Sequence, residues 1–194
     1  MIQLATIAFA CTLVFACAAR AQDAQSGVSE TGGEKILVVY FSKTGNTRAV
    51  AEHIQARVRG DLFQVAPKQP YPENYSEATE VAKRELENNA RPELAETISA
   101  NAMREYDVVF VGYPTWWGTL PMALFTFLEQ HDFAGKTVVP FCTHGGSGLS
   151  RGPGDIAKVC SDATVGQGLA VRGGLSAGSR DDIDGWLRRL GYLQ

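Results

Sequence analysis

The sequence predicts an α/β protein, a five-stranded, doubly wound parallel sheet covered by helices on both faces. Three observations carry this: continuous apolar runs too short for helices, amphipathic segments between them, and polar, glycine-containing loops directly after the runs. The first run, Ile36-Leu37-Val38-Val39-Tyr40-Phe41, is rich in β-branched and aromatic residues, the pattern of a strand buried on both faces. Comparable runs span Leu62 to Ala66, Val108 to Gly112 and Thr137 to Cys142, and a weaker fifth spans Gly168 to Arg172. Between them, Thr47 to Arg59 places Val50, Ala51, Ile54 and Val58 three and four residues apart, which turns one apolar stripe toward the sheet. Leu120 to Glu129 and Ile183 to Leu190 repeat this spacing more briefly, the latter after Arg180-Asp181-Asp182, whose acids suit a helix N-terminus. Strands alternating with helices imply right-handed crossovers. The connection from Pro67 to Tyr106 is long and holds a predicted helix from Tyr75 to Asn88, stopped by Asn88-Asn89 and by Pro92. Long ordered connections are commonly functional; composition alone does not separate that from an outer helix packed at the sheet edge.

A length of 194 residues suits one domain plus an N-terminal extension, and 45% apolar with 20% charged residues is an ordinary globular balance that excludes disordered and collagen-like chains. Ile2 to Ala19 contains no charged residue and leads into Ala19-Arg20-Ala21, a small-x-small cleavage pattern. Residues 1–21 therefore read as a secretory signal peptide, 22–34 as a flexible polar tether, and 35–194 as the domain. This places the mature protein in the periplasm or outside the cell. Two alternatives stay open: a retained membrane anchor, because the apolar run approaches spanning length, and a lipid carried on Cys17. The formal charge of −3 becomes −4 once Arg20 is lost with the signal, and no basic face suggests a nucleic-acid partner. Cys142 is expected at the top of a strand and Cys160 at the far end of the following helix, beyond the ~7 Å Cα reach of a disulfide. Both are expected as buried free thiols.

In an open parallel sheet, ligands bind beyond the carboxyl ends of the strands. Three loops there carry the candidate chemistry. Ser42-Lys43-Thr44-Gly45-Asn46-Thr47 joins the first strand to an amphipathic helix. Ser42, Thr44 and Thr47 offer hydroxyls, Asn46 an amide, Gly45 a close backbone approach, and the helix start unpaired N–H groups for a phosphate dianion. Neither the P-loop nor the dinucleotide-binding glycine fingerprint is present. The second loop contains Pro114-Thr115-Trp116-Trp117-Gly118; two adjacent indoles are costly to expose, and a planar ligand would cover one of them. The third, Thr143-His144-Gly145-Gly146-Ser147, bares backbone N–H groups suited to ligand carbonyls. His53 and His131 fall on predicted helix positions, so no metal-ligand cluster is visible.

With these loops in place the sequence resembles the flavodoxin family, whose phosphate loop reads [ST]-x-T-G-x-T and whose relatives include a P-x-W-W-G-x-x-P loop. The resemblance runs from Lys35 to the C-terminus, includes the region of Tyr71, Tyr75 and Arg91-Pro92, and is of the short-chain type. It implies the flavodoxin-like strand order 2-1-3-4-5 and one non-covalently held FMN. Ser42 to Thr47 would hold the phosphate, Trp116 or Trp117 would flank the ring, a peptide near Trp117-Gly118 would meet the flavin N5, and Thr143 to Ser147 would line the pyrimidine edge. His144 stands where relatives often carry Ser; it either tunes the flavin N1 environment or points into solvent. The chain differs from typical flavodoxins in being exported and only mildly acidic.

No nucleophile with its base, and no carboxylate pair, appears in the three loops. The expected function is electron transfer through FMN, with redox proteins or small electron acceptors as partners. An FMN-dependent NAD(P)H:quinone-type oxidoreductase and a non-catalytic FMN-binding module are the alternatives.

Overall fold

Along β1 (Ile36–Tyr40) alternate side chains enter two different cores: Leu37 and Val39 face one, Val38 and Tyr40 the other. The computed structural model describes residues 33–193, so the leader and most of the tether lie outside the described residues. After β1 come α1 (Asn46–Val58), β2 (Asp61–Gln64), α2 (Tyr75–Glu87), α3 (Ala100–Arg104), β3 (Val108–Pro114), α4 (Met122–Gln130), β4 (Thr137–His144), α5 (Gly152–Val159), β5 (Thr164–Val165), β6 (Leu169–Arg172) and α6 (Ala177–Leu190).

All strands pair in parallel in the order β2-β1-β3-β4-β5, with β6 also on β4. This is the doubly wound sheet read from the sequence. On one face Val50, Ala51 and Ile54 of α1 meet Ile183, Trp186 and Leu187 of α6 around Phe110. On the other, α2, α4 and α5 pack around Val109, Val111, Phe127 and Cys142.

The expected fifth strand, Gly168 to Arg172, is present as β6, and a further two-residue strand, β5, precedes it on the same edge of β4. Val138 pairs with Val165 and Phe141 with Leu169, so three steps on β4 oppose four on its neighbour. The break lies opposite Pro140, which has no N–H for the ladder, and a proline in a central strand forces such an interruption. Three residues, Gly166 to Gly168, absorb it, and Gly166 still donates to Val138 O at 2.8 Å.

Helix ends follow local chemistry. Asn74, Ser99 and Ser176 cap α2, α3 and α6 by accepting from backbone N–H groups. The Ser176–Ser179 capping box starts α6 six residues before the apolar periodicity at Ile183 would place it. α2 ends where expected, with Asn88 as its C-cap. Cys142 and Cys160 are buried and free; burial pushes both thiols up, that of Cys160 to about 12. Among the described residues no helix is long and apolar enough to cross a membrane.

Candidate functional site

The C-terminal ends of β1, β3, β4 and β6 open onto one cleft of about 610 Å³. Its lining brings together residues from all three predicted loops: Ser42, Thr44, Asn46 and Thr47; Pro114, Thr115, Trp116 and Trp117; Thr143, His144 and Gly145. Gly45, Gly118, Gly146 and Ser147 lie beside it in the same loops and do not line it.

The first loop ends in an exposed anion seat. Gly45 is the N-cap of α1 at φ 91°, a left-handed conformation that favours glycine, and no side chain caps the helix. The N–H groups of Asn46, Thr47 and Arg48 have no partner within the helix, and the first turn carries no acid to compete for them. Ser42 Oγ accepts from Gly45 N at 3.1 Å and so shapes the loop. Thr47 is buried, its hydroxyl 2.8 Å from that of Thr143. Lys43 reaches across the mouth to donate to Glu73 O at 3.1 Å.

The second loop separates the two indoles. Trp117 and Gly118 have φ 50° and 79°, and Trp116 and Thr119 exchange both backbone hydrogen bonds, so the loop closes as a turn with two left-handed central residues. Trp116 turns inward and packs edge-on against Phe41 and Tyr71, at centroid distances of 5.3 and 5.1 Å. Trp117 is left 47% exposed, its Nε1 donating to Thr79 O at 3.2 Å and Lys83 Nζ lying 5.6 Å from its ring centre. Of the two tryptophans, the structure presents Trp117 as the free aromatic surface.

The third loop is tied to the second. Thr115 N donates to Thr143 O at 2.9 Å and Thr115 Oγ1 to Gly148 O at 2.8 Å. His144 ends β4 in the cleft lining with a buried Nδ1 that has no partner among the described residues. Left unsatisfied, such a nitrogen costs about 1–3 kcal/mol.

Sequence reasoning missed two parts of the site. Gly173, directly after β6, lines the cleft, and a Cβ on neighbouring Gly174 would come within 2.8 Å of Asn46 Oδ1. The Gly-Gly pair at a strand's carboxyl end was the available signal. The other part is a wall formed by α2, from which Tyr75, Ala78, Thr79 and Ala82 line the cleft. Their spacing of three and four residues gives one stripe, but nothing local shows which way α2 faces.

An uncapped helix start beside hydroxyl donors and a glycine-lined edge facing an indole makes a site for a phosphorylated planar ring. The chain belongs to the flavodoxin family, whose model matches residues 35–190. It is similar to a candidate flavoprotein from Bacteroides eggerthii DSM 20697, at 36% identity and TM-score 0.69 over 82% of this chain and 99% of that one. A candidate flavoprotein from Bacteroides uniformis ATCC 8492 gives 30% identity and TM-score 0.69 over 81% and 99%. A flavoprotein in complex with FMN from Lactobacillus acidophilus NCFM shares the fold at 20% identity and TM-score 0.60, over 71% and 93%. No curated protein matches the chain.

Proposed function

We propose that this chain binds FMN non-covalently in the cleft and carries electrons through it in an exported redox pathway. The observation that carries the reading is the uncapped N-terminus of α1, with its hydroxyl and amide donors, opening onto the same cleft as the exposed face of Trp117. The donor set suits a phosphate monoester: Ser42, Thr44 and Asn46 sit with the free N–H groups of α1 at a positive helix end. Trp117 offers its ring for stacking, while Gly145, Gly173 and His144 form a wall of backbone and imidazole. When bound, FMN supplies the redox chemistry, and this chain supplies its position and its shield from water.

Fluorescence titration of the apoprotein tests the reading. FMN emission falls on binding, and riboflavin, which lacks the phosphate, binds at least tenfold more weakly. Protein that stays colourless and leaves FMN emission unchanged would end it. Export is tested by sequencing the N-terminus of protein recovered from its own cells, with a start directly after Ala21 expected.

A second reading, an FMN-dependent NAD(P)H:quinone-type oxidoreductase, draws support from the one-sidedness of the cleft. Its tyrosine and tryptophan rings, Tyr75, Trp116 and Trp117, all belong to α2 and the β3 loop, and the β4 and β6 loops contribute only the smaller imidazole of His144. Steady-state NAD(P)H oxidation with a quinone separates the two readings, because a carrier turns over little without a partner reductase.

A further inference from the structure

A second cavity, of about 730 Å³, shares no lining residue with the cleft. α2 serves both: Ala78 and Ala82 line the cleft, while Val81 and Glu85 line the cavity. Four of the chain's eight prolines, Pro67, Pro70, Pro72 and Pro92, form its walls. A proline's φ is fixed before any ligand arrives, so such a wall loses little freedom on binding. The two proline segments are tied together where Lys68 N donates to Glu93 O at 2.7 Å and Ala95 N to Ala66 O at 2.9 Å.

The polar end of the cavity is formed by the Tyr71 hydroxyl and the Glu85 carboxylate. Tyr71 is 8% exposed and donates to Glu85 Oε2. Glu85 Oε1 has no partner among the described residues and is open to solvent. Two cations also line the cavity, and both are engaged elsewhere. Arg91 holds both carboxylate oxygens of Glu129 at 2.6 Å, and Lys68 Nζ pairs with Glu93 at 2.7 Å. Glu85 is thus a partly buried carboxylate with no cation beside it, an arrangement that costs free energy until a counterion arrives. Burial raises its carboxyl above the ordinary value for the same reason.

We infer that this cavity is a binding site for an organic ammonium ion, with Glu85 Oε1 accepting from its N–H groups and the proline wall covering its apolar body. Cavities of about 300–1,000 Å³ suit small molecules. An anion would meet the Glu85 carboxylate while both nearby cations are already paired, which selects against it. The site stands apart from the FMN reading, because none of its residues belongs to the three cleft loops.

The test titrates the purified protein with 2-phenylethylammonium chloride at pH 7, read by ligand-observed NMR. Saturable binding is expected with a Kd of about 1 mM or tighter, and 2-phenylethanol, the same body without the charge, binds at least about tenfold more weakly. Glu85→Gln keeps an oxygen for Tyr71 and weakens the ammonium about tenfold, the range for losing one charged hydrogen-bond partner. Tyr71→Phe removes the hydroxyl, leaves the carboxylate and stays within about threefold of wild type. An alcohol that binds as tightly as the ammonium, a Glu85→Gln variant that binds it as tightly as wild type, a loss in Tyr71→Phe as large as in Glu85→Gln, or no saturable binding overturns the inference. None of these outcomes bears on FMN in the cleft.

Discussion

The hydroxyls of Thr47 and Thr143 lie 2.8 Å apart in the interior, joining the first turn of α1 to the end of β4. One residue belongs to the candidate phosphate loop and the other to the loop on the opposite side of the cleft. Removing either hydroxyl strands its partner: Thr47→Val or Thr143→Val is expected to cost about 1–3 kcal/mol in urea denaturation. The double valine variant should cost less than the sum of the singles, because it leaves no orphaned group. Additive losses would show that the pair is not coupled.

Trp117 sits at φ 50°, where a non-glycine residue carries a strain of order 1 kcal/mol or more. Its indole N–H donates to Thr79 O, and Lys83 Nζ lies 5.6 Å from its ring centre. Trp117→Gly therefore removes strain as well as contacts, and its melting temperature should stay near that of wild type. FMN affinity should fall about tenfold, the upper range for one aromatic pair. Thermal melts of the apoprotein and FMN titrations together decide it; unchanged affinity would remove Trp117 from the site.

Much of this arrangement is legible in the residues. β1, β3 and β4 are buried on both faces and so read as unbroken apolar runs, and the rule that ligands sit beyond strand ends pointed to three loops that do meet. The split between β5 and β6 was hidden because its cause, Pro140, lies on the neighbouring strand. The early start of α6 depends on a serine cap, not on apolar spacing. The α2 wall was hidden for a third reason: Ala78 and Thr79 are unremarkable on any helix and gain meaning only when tertiary packing turns them toward the cleft. Trp116 and Trp117 are adjacent in sequence, yet a left-handed turn sends one inward and one outward.

Two glycines that look alike in sequence should behave differently. A Cβ at Gly152 would lie 2.1 Å from Tyr113 Oη, a ring that is fully buried and bonded to Leu149 O. Gly152→Ala is expected to destabilise the protein by about 1–3 kcal/mol through overpacking. A Cβ at Gly174 would meet only the amide end of Asn46, a short exposed side chain that can swing away. Gly174→Ala should leave the urea midpoint nearly unchanged and weaken FMN severalfold by moving Asn46. A loss of stability in Gly174→Ala equal to that in Gly152→Ala would contradict this division.

Behind Trp116, the Tyr71 hydroxyl donates to the Glu85 carboxylate, and the Tyr71 ring packs edge-on against the indole. Burial raises the Glu85 carboxyl above its ordinary value, and the bond from Tyr71 opposes this only in part. Because the folded-state pKa lies above the unfolded one, the folded protein binds this proton more tightly. The contribution is fully present below the ordinary carboxylate value and is lost as pH rises through the folded pKa. Glu85→Gln keeps an oxygen for Tyr71 and removes the titration. The difference in urea midpoint, variant minus wild type, should therefore grow in favour of the variant between about pH 4 and pH 7. A difference that stays flat, or turns against the variant as pH rises, would mean that the ionised carboxylate is stabilised where it sits.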